Sequence, residues 1–195
     1  MNYSDDEVKN LQNDPVFLNE LLERESKAFQ NKSIIDLYDI LDSLLLFESD
    51  TKQRVNKLYG AIIEEAFNIL HLKLENEQMF DLNIETDHYS LRAIYEYAIE
   101  KYSGNLLHEA KEIFIILSIL TDDNIFKGAM QIHLIAVLKN ISFEEFLAEF
   151  VDMEKMESAN ESFFILYFFD SANKFLHENA HLIKTAIQEV KKIKL

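Results

Sequence analysis

Pro15, Gly60, Gly104 and Gly128 are all the proline and glycine in 195 residues, too few for the tight turns that β-hairpins and Greek keys require. The chain is nonetheless 48% apolar, enough to bury a core. Together these facts predict an all-α protein. The helical period is explicit from residue 55, where Val55, Leu58, Tyr59, Ile62, Ile63, Ala66, Phe67 and Leu70 keep the three-four spacing of one buried stripe. This helix opens at Asp50 and Thr51 and runs to about Asn76, with Gly60 interrupting it at modest cost.

Two helices precede it. Asp14 and Pro15 form a cap and first-turn pair for a helix to about Gln30, with Phe17, Leu21, Leu22 and Phe29 inward, and residues 1–13 are expected to be loose. Ser33 caps a second helix through about Glu48. Its run Leu44-Leu45-Leu46-Phe47 makes it apolar on more than one face, so it is either central or meets a partner, and a homodimer through it is one expectation.

Between Glu77 and Asp87 the pattern breaks, which sets an N-terminal helical region, 1–87, before a second helical part, 88–195. In that second part helices are expected near 88–102, 106–120, 124–139, 143–155, 160–173 and 175–193. Ser142 with Glu145, and Ser158 with Glu161, read as capping boxes that open two of them.

The segment 98–114 has the pattern of a helix hairpin. Ala98 and Ala110 are small enough for two antiparallel helices to approach closely, Tyr102 and Phe114 fill the space beside them, and Gly104 is expected to supply the left-handed turn. Similar places recur 36 residues on, at Phe146 and Phe150, and 34 further, at Ala180 and Lys184. With Leu117 and the turn from Asp122 to Asn124, this order resembles the first repeat of the class II chaperones of type III secretion, small acidic proteins built from tetratricopeptide repeats. The resemblance covers about half the chain. It implies helical hairpins stacked as a short tetratricopeptide-like solenoid behind the N-terminal region, and a cytoplasmic chaperone that holds a secreted client before export. The chain departs from that pattern in its long front and in later repeats that lack glycine.

A formal charge of −16, from 35 acids and 19 bases, opposes nucleic-acid binding, because phosphates are repelled where counterion release drives affinity. Basic protein partners suit it better. No cysteine is present, which removes disulfides, thiol catalysis and cysteine–zinc sites and fits a cytoplasmic location. The acidic first residues lack the pattern of a secretory signal. The most apolar windows, Ile113 to Leu120 and Phe163 to Phe169, fall far short of the ~20 residues that span a bilayer and are expected to be buried helix faces.

One motif suggests catalysis. His177-Glu178-Asn179-Ala180-His181 matches the H-E-x-x-H pattern of zinc peptidases, yet the third ligand that a catalytic zinc requires would have to come from a distant residue such as His133 or Glu161. The plain reading is a solvated helix face. His71, His108 and His133 stand alone, as satisfied structural histidines do. No phosphate loop or serine elbow is present, so neither an enzyme nor a cofactor or metal site is expected.

Binding remains. In stacked hairpins the first helix of each pair lines a concave groove. The residues expected there are Arg92, Tyr95, Ile99 and Tyr102, then Gln131, Ile135 and Leu138, then Ile165 and Phe169. Tyrosines and aliphatics suit an extended, partly apolar segment of a client protein. The other reading is an acidic helical inhibitor, of the immunity or antitoxin kind, that covers a basic toxin.

Overall fold

A computed structural model describes residues 11, 14–45, 52–159 and 163–193, the last four by backbone alone. Among the described residues the chain is all-helical, with two isolated β-bridges and no strand. It divides into two compact units, at Asn76 and Glu77. The expectation for residues 1–13 lies almost wholly outside the described residues.

The first unit contains α1 (Pro15–Asn31), α2 (Ile34–Leu45) and α3 (Lys52–Glu75). Asp14 caps α1 by accepting the Val16 amide at 2.9 Å, with Pro15 in the first turn. Lys32 ends α1 in the left-handed region, φ 52°, and the Ser33 hydroxyl accepts the Asp36 amide as α2 begins. The middle helix packs against both neighbours, burying Ile34, Leu37, Tyr38, Ile40, Leu41 and Leu44. Of the run that suggested a homodimer, Leu44 is buried, Leu45 is 63% exposed, and Leu46 and Phe47 lie outside the described residues. On α3, Leu58, Ile62, Ala66 and Leu70 are buried, while Val55, Tyr59, Ile63 and Phe67 are only half-buried. α2 packs along the buried line, and α1 reaches α3 through the Arg54–Glu25 pair and Lys57 over the Phe29 ring.

The second unit begins earlier than the sequence suggests. Phe80 is buried, its amide donates to the Leu120 carbonyl at 2.8 Å, and it bridges Thr121, so residues 77–87 belong with the helices that follow. Those helices are α4 (Glu85–Ser103), α5 (Leu107–Leu117), α6 (Asn124–Leu138), α7 (Phe143–Phe150), α8 (Met153–Ser158) and α9 (Asp170–Ile193). Successive pairs pack together, α4 on α5, α5 on α6, and α6 on α9. Ala98, Tyr102, Ala110 and Phe114 are all buried, and the Tyr102 and Phe114 rings meet edge to face at 6.3 Å.

Two local expectations are corrected. Gly104 has φ −77° and is not left-handed; Asn105 is, with φ 57°, and the Leu106 amide closes the turn on the Lys101 carbonyl at 2.8 Å. Asparagine tolerates that region, so the reversal falls one residue later. The helices expected over 143–155, 160–173 and 175–193 are replaced by α7, a break at Val151, the short α8, an extended segment over 163–169 and the single long α9. Ser142 and Glu145 do form a capping box. Ser158 instead ends α8, and its expected partner Glu161 lies outside the described residues.

Gly60 and Gly128 sit inside α3 and α6, and a Cβ added at either meets nothing within 4 Å. Replacing a helical glycine by alanine removes backbone freedom from the unfolded chain. Gly60→Ala and Gly128→Ala should each stabilise by roughly 0.5–1 kcal/mol, read as a higher urea midpoint at unchanged slope.

Candidate functional site

Phe163 to Phe169 is aromatic or aliphatic at every position, and a helix made of it would need burial on all sides. An extended chain needs burial on one side only, because successive side chains alternate. The segment adopts that solution. Phe164 is buried and its ring lies against His88, Tyr95 and Phe126, while Phe168 turns toward His133 and Phe146. Tyr167 and Phe169 alternate away from Phe168, Phe163 lies beside Phe164 against His88, and Phe163, Tyr167 and Phe169 are 38%, 37% and 44% exposed. Two backbone hydrogen bonds fix the register: Asp152 N–H donates to the Tyr167 carbonyl at 3.0 Å, and Phe169 N–H donates to the Phe150 carbonyl at 2.9 Å. Val151 and Phe168 are the bridged antiparallel pair between them.

Beneath the segment, α4, α5 and α6 meet at Tyr95, Phe114 and His133. The Phe114 and His133 rings stack at 5.0 Å, and Tyr95 meets both edge on. His133 Nδ1 lies 2.8 Å from the Ala129 carbonyl, which can only accept, so Nδ1 carries the proton. In the neutral ring Nε2 is then an acceptor, and the Tyr95 hydroxyl 3.2 Å away donates to it. The Tyr95 oxygen in turn accepts the Ile165 amide at 3.1 Å. One chain of hydrogen bonds thus runs from the extended segment through α4 to the backbone of α6. Burial pushes the Tyr95 hydroxyl pKa up and lowers His133 from 6.5 to about 4, the latter opposed by its bond to Ala129. Both groups are therefore neutral near pH 7.

At the start of the segment Arg92 is buried beneath Phe163, its guanidinium carbon 3.7 Å from the ring centroid, and its Nε pairs with Glu96 at 2.8 Å. His88 and Tyr89 complete this aromatic corner.

The nine residues expected to line a groove separate accordingly. Tyr95, Tyr102 and Ile135 are interior, and Arg92 is buried, so these four line no open surface. Tyr102 bonds the Ile141 carbonyl at 2.9 Å, and burial raises its pKa. Ile99, Gln131 and Leu138 are half-buried. Ile165 is half-buried and Phe169 exposed, on the extended segment and not on a first helix. Tyr95 and Ile165 are brought together, with His133 and Phe164 as partners of Tyr95 that the repeat register did not supply. The signal for Phe164 was the unbroken apolar run, read as a helix face.

Other places carry less. An open depression of about 400 Å³ is lined by Met79, Phe80, Asp81, Thr121, Asp122 and Asp123. Among the described residues, no group of three or more His, Asp or Glu side chains is placed to hold a metal ion. His177 and His181 are exposed on α9, and both ring nitrogens of His133 are already bonded. No helix of the described residues is long and apolar enough to cross a membrane. No protein-family model, curated protein or solved structure matches the chain.

Tyr95→Phe removes one hydroxyl and strands both the Ile165 amide and His133 Nε2, so it should lower stability by about 1–3 kcal/mol in urea unfolding. For His133 the folded value of about 4 lies below the ordinary 6.5, so the unfolded chain takes up the proton first. The neutral ring's contribution is complete above pH 6.5 and is lost as pH falls toward 4. His133→Gln should therefore show a shallower loss of stability between those values than the wild type, in urea midpoints measured across that range.

Proposed function

We propose that this protein is a non-catalytic binding protein that captures an apolar segment of another protein on the outward face of residues 163–169. The observation that carries this reading is the row Phe163, Tyr167 and Phe169, three aromatic side chains left exposed on a segment whose other face is seated in the core. Scattered exposed apolar residues are ordinary, but three aromatics within seven positions form a patch of the kind that marks an interaction surface. Buried aromatic anchors carry much of the energy in such contacts.

A chaperone uses such a surface by masking: the client's apolar stretch is held away from premature pairing until it is handed on. The narrower form of this proposal, a cytoplasmic tetratricopeptide-like chaperone for a secreted client, is supported by the spacing of Ala98, Tyr102, Ala110 and Phe114. The second reading, an acidic inhibitor of a basic toxin, is favoured by the charge of −16.

A triple variant, Phe163→Ser, Tyr167→Ser and Phe169→Ser, separates the two. Immobilised wild-type protein should retain from host extract a partner that the triple variant retains at least about tenfold less, a difference of roughly 1.4 kcal/mol. Retention unchanged by the three serines, with association that slows steeply as salt rises, would point to the charge-steered inhibitor instead.

A further inference from the structure

Resting on the reading of the aromatic row as a capture surface, the geometry points to strand addition as the way it binds: an extended partner segment, apolar with basic flanks, pairs with the open backbone edge at Leu166 and Phe168. In an extended chain the N–H and C=O of alternate residues point to opposite sides. The Tyr167 carbonyl and the Phe169 amide point toward Phe150 and Asp152, which they bond, and the Ile165 amide is taken by Tyr95. Leu166 and Phe168 therefore direct their amides and carbonyls the other way, and among the described residues these groups have no hydrogen-bond partner. Both residues are half-buried.

An unpaired edge beside exposed aromatics is what folded proteins normally avoid. They blunt such edges with lysine, proline or inward-pointing charge. Residues 163–169 contain none of these. A partner strand would satisfy the open groups of Leu166 and Phe168 and cover Tyr167 and Phe169 with its own alternate side chains, main-chain bonds giving affinity and side chains specificity.

Charge selects the occupant. From Glu144 to Glu178 the chain carries nine acids and two lysines, and Asp152 and Asp170 flank the segment itself, with Lys155 drawn to both. A second copy of the chain would bring the same acidic border edge to edge and be repelled. A segment with lysine or arginine at its ends is attracted, and its encounter is accelerated.

The test uses the full chain and a fluorescent probe peptide of about nine residues, alternating Phe or Val with Thr between terminal lysines, a length that matches one strand. Anisotropy should show binding. Leu166→Pro removes an amide that bonds nothing within the described chain, so its urea midpoint should stay near wild type while probe affinity falls at least about tenfold. A probe N-methylated at alternate residues cannot form the ladder and should bind at least about tenfold more weakly, as should a probe ended by glutamates. The methylated probe decides the matter even where Leu166→Pro perturbs folding. Strand addition is overturned by a wild-type protein that does not bind the parent probe or by equal binding of the methylated probe, and the basic-flanked occupant is overturned by a homodimer in light scattering that Leu166→Pro dissociates. When the triple serine variant loses its host partner but methylation leaves probe binding unchanged, capture stands and strand addition falls. When the serines change nothing and the probe does not bind, both fall.

Discussion

The hydrogen-bond chain from the Ile165 amide through Tyr95 and His133 to the Ala129 carbonyl is the constraint on which the second unit depends. The two links to His133 are buried and the one to Ile165 is part-buried, and each group in the chain has one role available: the carbonyl accepts, so Nδ1 donates, so Nε2 accepts, so the tyrosine hydroxyl donates and its oxygen is left to receive Ile165. Around it the rings of Phe114, Phe146 and Phe164 exclude water, which strengthens the bonds and makes any broken one expensive. The position of the extended segment follows. Once Ile165 is tied to Tyr95, Phe164 falls beside Phe126 and Phe168 beside Phe146, and alternation turns Tyr167 and Phe169 outward.

In the proposed reading, stability and binding use opposite faces of the same seven residues. The inward face is one of the most densely aromatic places in the unit, and the outward face is aromatic too, although nothing in the described chain covers it fully. Arg92 marks the junction, buried under Phe163 with Glu96 as its counter-charge. The acidic border lies beside this apolar row without neutralising it. The proposed partner, a segment apolar in the middle and basic at the ends, would match that combination.

The helices were legible in the sequence where capping and period agreed. Asp14 with Pro15, the Ser142 and Glu145 box, and the stripe of α3 all rest on interactions within about four residues, which the chain carries with it wherever it folds. The hairpin of Ala98 and Ala110 was readable for the same reason. The groove was not. Its residues were assigned from a repeat register, but Tyr95, Tyr102 and Ile135 are turned into the core by the helices and the segment packed over them.

By itself the sequence determined an all-helical chain, because scarce glycine and proline and a three-four apolar period leave little else, and it determined an acidic surface. Only the tertiary structure decided what the run Phe163 to Phe169 becomes. A run apolar at every position has no period to read, so its conformation depends on which neighbours offer it burial and hydrogen bonds. Tyr95, Phe150 and Asp152, between 15 and 70 residues from the groups they bond, supply those bonds.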